Sequence, residues 1–233
     1  MTARPVTTVL FDFAWTLFAR DSERWVGNAA ASIDRTLAAG EAHRIAGDFA
    51  DLLRKTATDP AHIARDLDPR VWDRAILAVL EQIPGVDQPL ASVLHRTHAE
   101  AVEPYADTAA TLSALRDSGV RIGVVSNVGW DIRTCFARHG LDGYVDAFVL
   151  SYEVGFVKPD PRIWGAALEA LHAAPDQTLM IGDHPAGDGG AVSAGIPALI
   201  LPMVYSPAQK RGFEHVLRLA QPGGPFRMTA PAD

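Results

Sequence analysis

The hydrophobic pattern opens with a short unbroken apolar, β-branched run at residues 6–11 that stops at a carboxylate, Asp12. A run of that length and composition predicts a strand buried on both faces. Across residues 21–101 the texture changes to Ala, Leu, Arg and Glu. Apolar positions there return at helical spacing, as at Ile33 and Leu37 and again at Trp72, Ile76, Leu77 and Leu80. Gly40, Asp59-Pro60, Asp68-Pro69 and Pro84-Gly85 punctuate the stretch into four or five helices, with no strand pattern.

From Pro104 onward the pattern alternates between helix and strand. Strands are predicted at 120–125, 147–150, 178–181 and 198–201. Helices are predicted from Asp107 to a stop at Gly119, over 130–139, from Asp160-Pro161 to Ala173, over 188–194 and near 207–219. Asp107 and Asp160 are placed to cap their helices, and Pro161 suits a first helical position. This order predicts an α/β fold, a parallel sheet with helices on both faces. An all-helical cap domain is inserted after the first strand, over the carboxyl ends of the strands, where such sheets bind ligands. The expected division is a core of residues 1–17 and 104–220, a cap of 18–103, and a loosely held Pro- and Gly-rich tail at 221–233.

Composition narrows the function. The 233 residues are 48% hydrophobic and 21% charged, with a net charge of −7, so no basic face for nucleic acid is expected. The single cysteine, Cys135, excludes an internal disulfide framework and a Cys-rich zinc site, and it points to a reducing, cytoplasmic setting. The N-terminal apolar stretch is broken by Asp12. The run at 194–205 is too short to span a bilayer and carries Pro197 and Pro202, so no membrane or export segment is expected. A monomer or a homodimer is expected.

Four polar clusters follow four predicted strands: Asp12 with Thr16, Ser126-Asn127, Lys158, and Asp183 with Asp188. Carboxyl ends of parallel strands converge on one crevice. Acidic oxygens gathered there suit a hard cation such as Mg²⁺, and a lysine with a hydroxyl suits phosphate oxygens. The set predicts a phosphoryl-handling site with a carboxylate nucleophile. Other polar residues read more plainly. His95 and His98 share a helix face without a third ligand, which reads as a solvated face. Cys135 reads as a buried small hydrophobe, and Trp25, Trp72 and Trp164 as packing residues.

Four segments, in this order and each at a predicted strand end, make the chain resemble the haloacid dehalogenase superfamily of hydrolases. They are Val9-Leu10-Phe11-Asp12-Phe13-Ala14-Trp15-Thr16-Leu17, Val124-Val125-Ser126-Asn127, Val154-Gly155-Phe156-Val157-Lys158-Pro159-Asp160-Pro161, and Ile181-Gly182-Asp183-His184-Pro185-Ala186-Gly187-Asp188. The resemblance implies a Rossmann-like core and a Mg²⁺-dependent phosphatase acting on a small phosphorylated metabolite. It makes Asp12 the nucleophile and Asp12 and Asp183 the metal ligands, with the Ala14 carbonyl as a further ligand and Asp188 in support. Ser126, beside Asn127, holds a phosphoryl oxygen, Lys158 pairs with Asp12 and the phosphoryl group, and Thr16 steadies the loop. Contacts to substrate fall to Arg20, Arg24 and Lys55 of the cap and to Trp15 and His184.

The first segment departs from that pattern. Phosphatases of this type carry a second Asp, as proton donor, two residues after the nucleophile; here that position is Ala14, followed by Trp15 where Gly is common. General acid–base help is worth roughly 10²–10⁴-fold. Its loss restricts hydrolysis to good leaving groups, unless substrate, water or a substitute such as His184 supplies the proton. Three alternatives stand beside the phosphatase. The phosphonoacetaldehyde hydrolases also have Ala there and use a cap lysine as a Schiff base, for which Lys55 is the sole cap candidate. Haloacid dehalogenases proper also lack the second Asp. A degenerate member would bind and turn over nothing.

Overall fold

The computed structural model describes residues 5–56, 59 and 64–220. Strand β1 (Thr8–Phe11) is followed closely by β2 (Phe18–Arg20). Helices α1 (Ser22–Ala31), α2 (Glu41–Lys55), α3 (Pro69–Leu80) and α4 (Gln88–Arg96) come next. Strand β3 (Val102–Pro104) then returns antiparallel to β2, so a two-stranded ribbon joins the two ends of the helical insertion. The rest alternates: α5 (Thr108–Asp117), β4 (Arg121–Ser126), α6 (Arg133–Arg138), β5 (Ala147–Leu150), α7 (Ser151–Val154), α8 (Pro161–Ala170), β6 (Thr178–Gly182), β7 (Ala198–Ile200) and α9 (Glu214–Ala220).

The main sheet is wholly parallel, in the order β5-β4-β1-β6-β7. Alternate residues of a strand face opposite sides of the sheet. Val9 and Phe11 of β1 therefore enter one core with Leu112, Phe136 and Phe213, while Leu10 enters a second core with Ile163 and Trp164. Both faces are covered, which is why the strands read as continuous apolar runs. The inserted helices close over a third core built from Trp25, Ile45, Phe49, Ile76, Leu80, Leu90 and Leu94. Asp68 and Asp87 start α3 and α4 by accepting from the backbone N–H groups of Arg70 and Leu90. Trp130 packs against both the insertion core and the sheet core.

The parallel sheet and the inserted helices are as expected from the sequence. The β2–β3 ribbon is new, because three residues per strand are too few to show an alternation. Several helices are shorter than expected, among them Arg133–Arg138 within 130–139, Pro161–Ala170 within 160–173 and Glu214–Ala220 against 207–219. Asp107 stands before α5, but its carboxylate accepts from the N–H groups of Arg211 (2.7 Å), Gly212 (3.0 Å) and Phe213 (3.2 Å) instead of capping the helix. His95 and His98 do not form a solvated face. Both rings lie against Trp72, and His98 also meets Trp130 edge-on at 4.6 Å. The tail at 221–233 lies outside the described residues. Among those described, no helix is long and apolar enough to cross a membrane.

Candidate active site

Strands β4, β1 and β6 lie side by side at the centre of the sheet. Ser126 ends β4, Asp12 follows β1 and Asp183 follows β6, so all three reach the same carboxyl-end crevice. The Asp12 N–H donates to the Ile181 carbonyl at 2.9 Å, which continues the β1–β6 pairing as far as Asp12. Asp188 turns back onto β6: its Oδ2 accepts from the N–H groups of Asp183 (3.1 Å) and His184 (2.9 Å). Only glycine permits this approach, because a Cβ on Gly182 would lie 2.1 Å from Asp188 Oδ2.

Lys158 joins these pieces. Its Nζ donates to Asp12 Oδ1 (2.5 Å), Asp188 Oδ1 (2.6 Å) and the Val125 carbonyl (2.9 Å), which uses all three ammonium protons. The side chain is buried, and Asn127 holds its backbone from both sides. Asn127 Oδ1 accepts from the Lys158 N–H at 2.7 Å, and Nδ2 donates to the Lys158 carbonyl at 3.0 Å. The Asn127 amide is thus committed to positioning Lys158. Ser126 is buried, and its hydroxyl makes no hydrogen bond among the described residues.

The electrostatics ask for a cation. Carboxylate oxygens of Asp12, Asp183 and Asp188 all lie within 4.8 Å of one another. Burial pushes the Asp12 carboxyl well above the usual carboxylate range; Lys158 opposes this, while Asp188 and Asp183 add to it. Asp183 is raised by burial and by Asp188, against the Thr16 hydrogen bond and the Lys158 and Arg211 charges. Burial alone would lower the Lys158 ammonium, but Asp12 and Asp188 outweigh it and hold the group charged. Three carboxylates against one ammonium leave a charge deficit that one dication cancels. An all-oxygen donor set fits a hard ion such as Mg²⁺. The Ala14 carbonyl accepts no hydrogen bond among the described residues, so it is available as a fourth oxygen.

The turn after Asp12 is braced from outside. Thr16 Oγ1 donates to Asp183 Oδ1 at 3.2 Å. Trp15 has φ of 62°, the left-handed region that favours glycine, and its N–H donates to the Phe18 carbonyl at 2.6 Å. Its ring meets Tyr205 edge-on at 6.0 Å. Arg211, buried, donates from Nε to the Trp15 carbonyl at 2.8 Å and from its two Nη atoms to the carbonyls of Pro202 and Leu201. Ala14 is exposed and presents only a methyl group.

The remaining sequence candidates are more scattered. Arg20 packs its guanidinium 4.8 Å from the centroid of Trp25 and 5.7 Å from that of Phe49. Its Nε is buried without a hydrogen-bond partner among the described residues, and burial lowers the pKa to about 10. Arg24 is committed to Asp21 and to Glu103, the latter at 3.0 Å. Lys55 is exposed in the last turn of α2. His184 is exposed, and its Nδ1 accepts from the Gly187 N–H at 2.8 Å. One residue that braces the site escapes a reading of the sequence: Arg211 lies in no motif.

Residues 6–195 match the haloacid dehalogenase-like hydrolase family. Among curated proteins the chain is similar to glyceraldehyde 3-phosphate phosphatase of Methanothermobacter thermautotrophicus, 31% identical over 147 residues, covering 60% of this chain and 65% of that one. It is also similar to pyrophosphatase PpaX of Bacillus mycoides, at 34% over 102 residues, 43% of this chain and 47% of that one. A third relative is phosphoserine phosphatase of Thermus thermophilus, at 35% over 97 residues, 41% of this chain and 39% of that one. The chain thus spans less than two thirds of the length of each of these relatives. Solved structures share the fold. A HAD phosphatase from Thermococcus onnurineus has a TM-score of 0.59 at 21% identity, over 90% of this chain and 95% of that one. The HAD-hydrolase YfnB from Bacillus subtilis, bound to magnesium, has 0.69 at 18%, over 93% and 99%. The L-2-haloacid dehalogenase from Xanthobacter autotrophicus, with chloropropionic acid covalently bound, has 0.65 at 20%, over 84% and 77%.

Proposed function

The chain belongs to the haloacid dehalogenase-like hydrolases, and from that membership we propose that it is a Mg²⁺-dependent phosphatase of a small phosphorylated metabolite, working through an aspartyl phosphate on Asp12. The observation that carries this reading is the bridge of Lys158 Nζ to Asp12 Oδ1 and Asp188 Oδ1 beside the three-carboxylate cluster. Lys158 holds Asp12 by one oxygen, and Asp12 Oδ2 has no hydrogen bond among the described residues, so it is free to attack phosphorus. Asp12, Asp183, Asp188 and the Ala14 carbonyl would hold the metal, which when bound offsets negative charge on the phosphoryl oxygens. Ser126 donates its hydroxyl to one of those oxygens. Lys158 favours the ionised form of Asp12 against its burial and takes up charge as the phosphoryl group arrives. Asn127 and Thr16 act through Lys158 and Asp183, as positioning residues.

Residues 1–17 and 104–220 supply this chemistry, and the insertion of residues 18–103 selects substrate from above. Arg20, a half-buried cation with its Nε buried and without a carboxylate partner among the described residues, suits a second anionic group on the substrate. The names of three relatives, each a phosphatase or pyrophosphatase, support phosphoryl chemistry over the alternatives. The carboxylate cluster weighs against a metal-free dehalogenase. Lys55, exposed and in no ion pair or hydrogen bond among the described residues, weighs against imine chemistry.

The test is phosphate release with Mg²⁺ from acyl, sugar and amino-acid phosphates, p-nitrophenyl phosphate and pyrophosphate, against Asp12→Asn as blank. Release that needs Mg²⁺ and Asp12, and calorimetric Mg²⁺ affinity that drops sharply in Asp183→Asn, are expected. Release unaffected by Asp12→Asn would remove the reading.

A further inference from the structure

A phosphatase site whose position 14 is alanine needs another group to protonate the departing oxygen. His184 is exposed to solvent, and Asp183 belongs to the carboxylate cluster. A different carboxyl arrives from the helical insertion. The loop before α3 is seated directly on the core. A Cβ on Gly129 would lie 2.3 Å from the Arg65 carbonyl, so the glycine lets the two segments touch. The next residue, Asp66, accepts a hydrogen bond on its carbonyl from Ser151 Oγ at 2.5 Å. Ser151 Oγ in turn accepts from the Val128 N–H at 2.8 Å, two residues beyond Ser126. Asp66 is thereby tied to the loop that carries Ser126 and Asn127, and Asn127 holds Lys158.

The Asp66 side chain is only 18% exposed. Arg65 Nε donates to its Oδ1 at 3.0 Å, while Oδ2 has no hydrogen bond among the described residues. Burial raises the Asp66 pKa, and the charges that face it, Arg65 and Lys158, pull the other way without cancelling the rise. The Lys158 field reaches this carboxyl, so it shares the electrostatic neighbourhood of the ammonium that grips Asp12. A half-buried carboxyl whose pKa is raised holds a proton more readily than a free one, and can give it up and take it back in turn.

We propose that Asp66, delivered by the inserted helical segment, is the proton donor and acceptor that position 14 lacks; this rests on the phosphatase reading above. In the first step Asp12 Oδ2 forms a bond to phosphorus. The bond from phosphorus to the leaving oxygen breaks, and that oxygen takes the proton of the Asp66 carboxyl. In the second step the Asp66 carboxylate takes a proton from water. The water oxygen bonds to phosphorus, the Asp12–phosphorus bond breaks, and inorganic phosphate leaves with Asp66 again protonated. The substrate class follows: alkyl phosphates, whose leaving oxygen needs a proton, fall within reach despite Ala14.

The experiment uses the full chain with Mg²⁺, as wild type, Asp66→Asn and Asp66→Glu, on p-nitrophenyl phosphate and on a series of alkyl phosphates. Asp66→Asn should slow alkyl-phosphate turnover by roughly 10²-fold or more, within the usual range for a lost general acid. It should slow formation of the phosphoenzyme from p-nitrophenyl phosphate far less. The aspartyl phosphate on Asp12 should then accumulate, because its hydrolysis lacks a base, and Asp66→Glu should recover part of the rate. A variant that had merely lost folded protein would lose every substrate in equal proportion. An Asp66→Asn enzyme with wild-type dependence on the leaving group and no accumulated phosphoenzyme overturns the role of Asp66, while Asp12-dependent release by wild type leaves the phosphatase reading intact. Absence of Asp12-dependent release by wild type removes both.

Discussion

Arg211 Nε donates a 2.8 Å hydrogen bond to the carbonyl of Trp15, 196 residues earlier in the chain. The other guanidinium donors go to the carbonyls of Pro202 and Leu201, so one buried side chain ties the turn after β1 to the loop after β7. Burial lowers the Arg211 pKa, and the charges of Tyr105, Asp183 and Asp107 resist that fall. Arg211→Met keeps most of the volume and leaves these carbonyls without their donor. Charge-assisted bonds of this kind are worth about 1.5–3 kcal/mol each, so a loss of about 2–4 kcal/mol in urea unfolding is expected. Phosphate release per folded molecule should fall as well, because the turn also carries Ala14. A stability change within about 0.5 kcal/mol, the range of an ordinary surface substitution, would show that Arg211 is not the brace.

Trp15 sits at φ of 62° where a glycine would be unstrained. The left-handed conformation costs a non-glycine residue about 1–2 kcal/mol. The ring recovers part of that through its edge-on contact with Tyr205 at 6.0 Å. Trp15→Ala loses the ring and keeps the strain, whereas Trp15→Gly loses both. Trp15→Gly should therefore be the more stable of the two by about 1 kcal/mol, read as the difference in urea midpoints. Equal midpoints would mean the backbone relaxes at no cost.

These two residues show what is legible in the sequence and what is not. Asp12, Ser126 and Asp183 follow strands that neighbour one another, so a crevice can be read from strand order alone. Asp188 needs only the missing Cβ of Gly182 to fold back beside them. The brace by Arg211 and the seating of Asp66 are invisible, because they come from tertiary contacts across 196 residues to Trp15 and across 85 residues to Ser151. Neither spacing nor periodicity encodes such contacts. Asp107 reads as a helix cap for the same reason, and the structure corrects it: three N–H groups at 211–213 outcompete its local helix.

His98 lies between Trp72 and Trp130, with ring centroids at 4.4 and 4.6 Å. Burial lowers its pKa from 6.5 to about 4. The hydrogen bond to the His95 carbonyl opposes this, and the Arg20 and His95 charges assist it. The folded protein refuses a proton that the unfolded chain accepts, so stability is complete above pH 6.5 and is lost as pH falls toward about 4. A tenfold difference in proton affinity between the folded and unfolded chain is worth about 1.4 kcal/mol, so the loss can reach about 3 kcal/mol. His98→Leu should flatten the wild-type decline between these limits in urea unfolding followed against pH. Parallel curves for the two proteins would place the titration elsewhere.

Ala14 supplies the last prediction, because it is where a carboxyl could be rebuilt. If Asp66 already carries the proton, adding an acid at position 14 of the wild type should change alkyl-phosphate hydrolysis only a few-fold. The same addition should matter much more once Asp66 is disabled. Trp15 complicates the rebuilding, since its ring holds the turn against Tyr205, while the carbonyl bond to Arg211 stays with any residue placed there. Trp15→Gly frees the turn and accepts the left-handed φ without strain. In an Asp66→Asn background, Ala14→Asp with Trp15→Gly should therefore recover alkyl-phosphate turnover by roughly 10- to 100-fold, a fraction of the usual value of a well-placed acid. Ala14→Asp alone should recover less. The measurement is steady-state phosphate release across the alkyl series for the five proteins (wild type, Ala14→Asp, Asp66→Asn, its double with Ala14→Asp, and the triple variant), each checked for phosphoenzyme formation from p-nitrophenyl phosphate. No recovery in a triple variant that still forms the phosphoenzyme would mean that proton supply does not limit the Asp66→Asn enzyme. The deficit would then lie in how the insertion seats the substrate over Asp12.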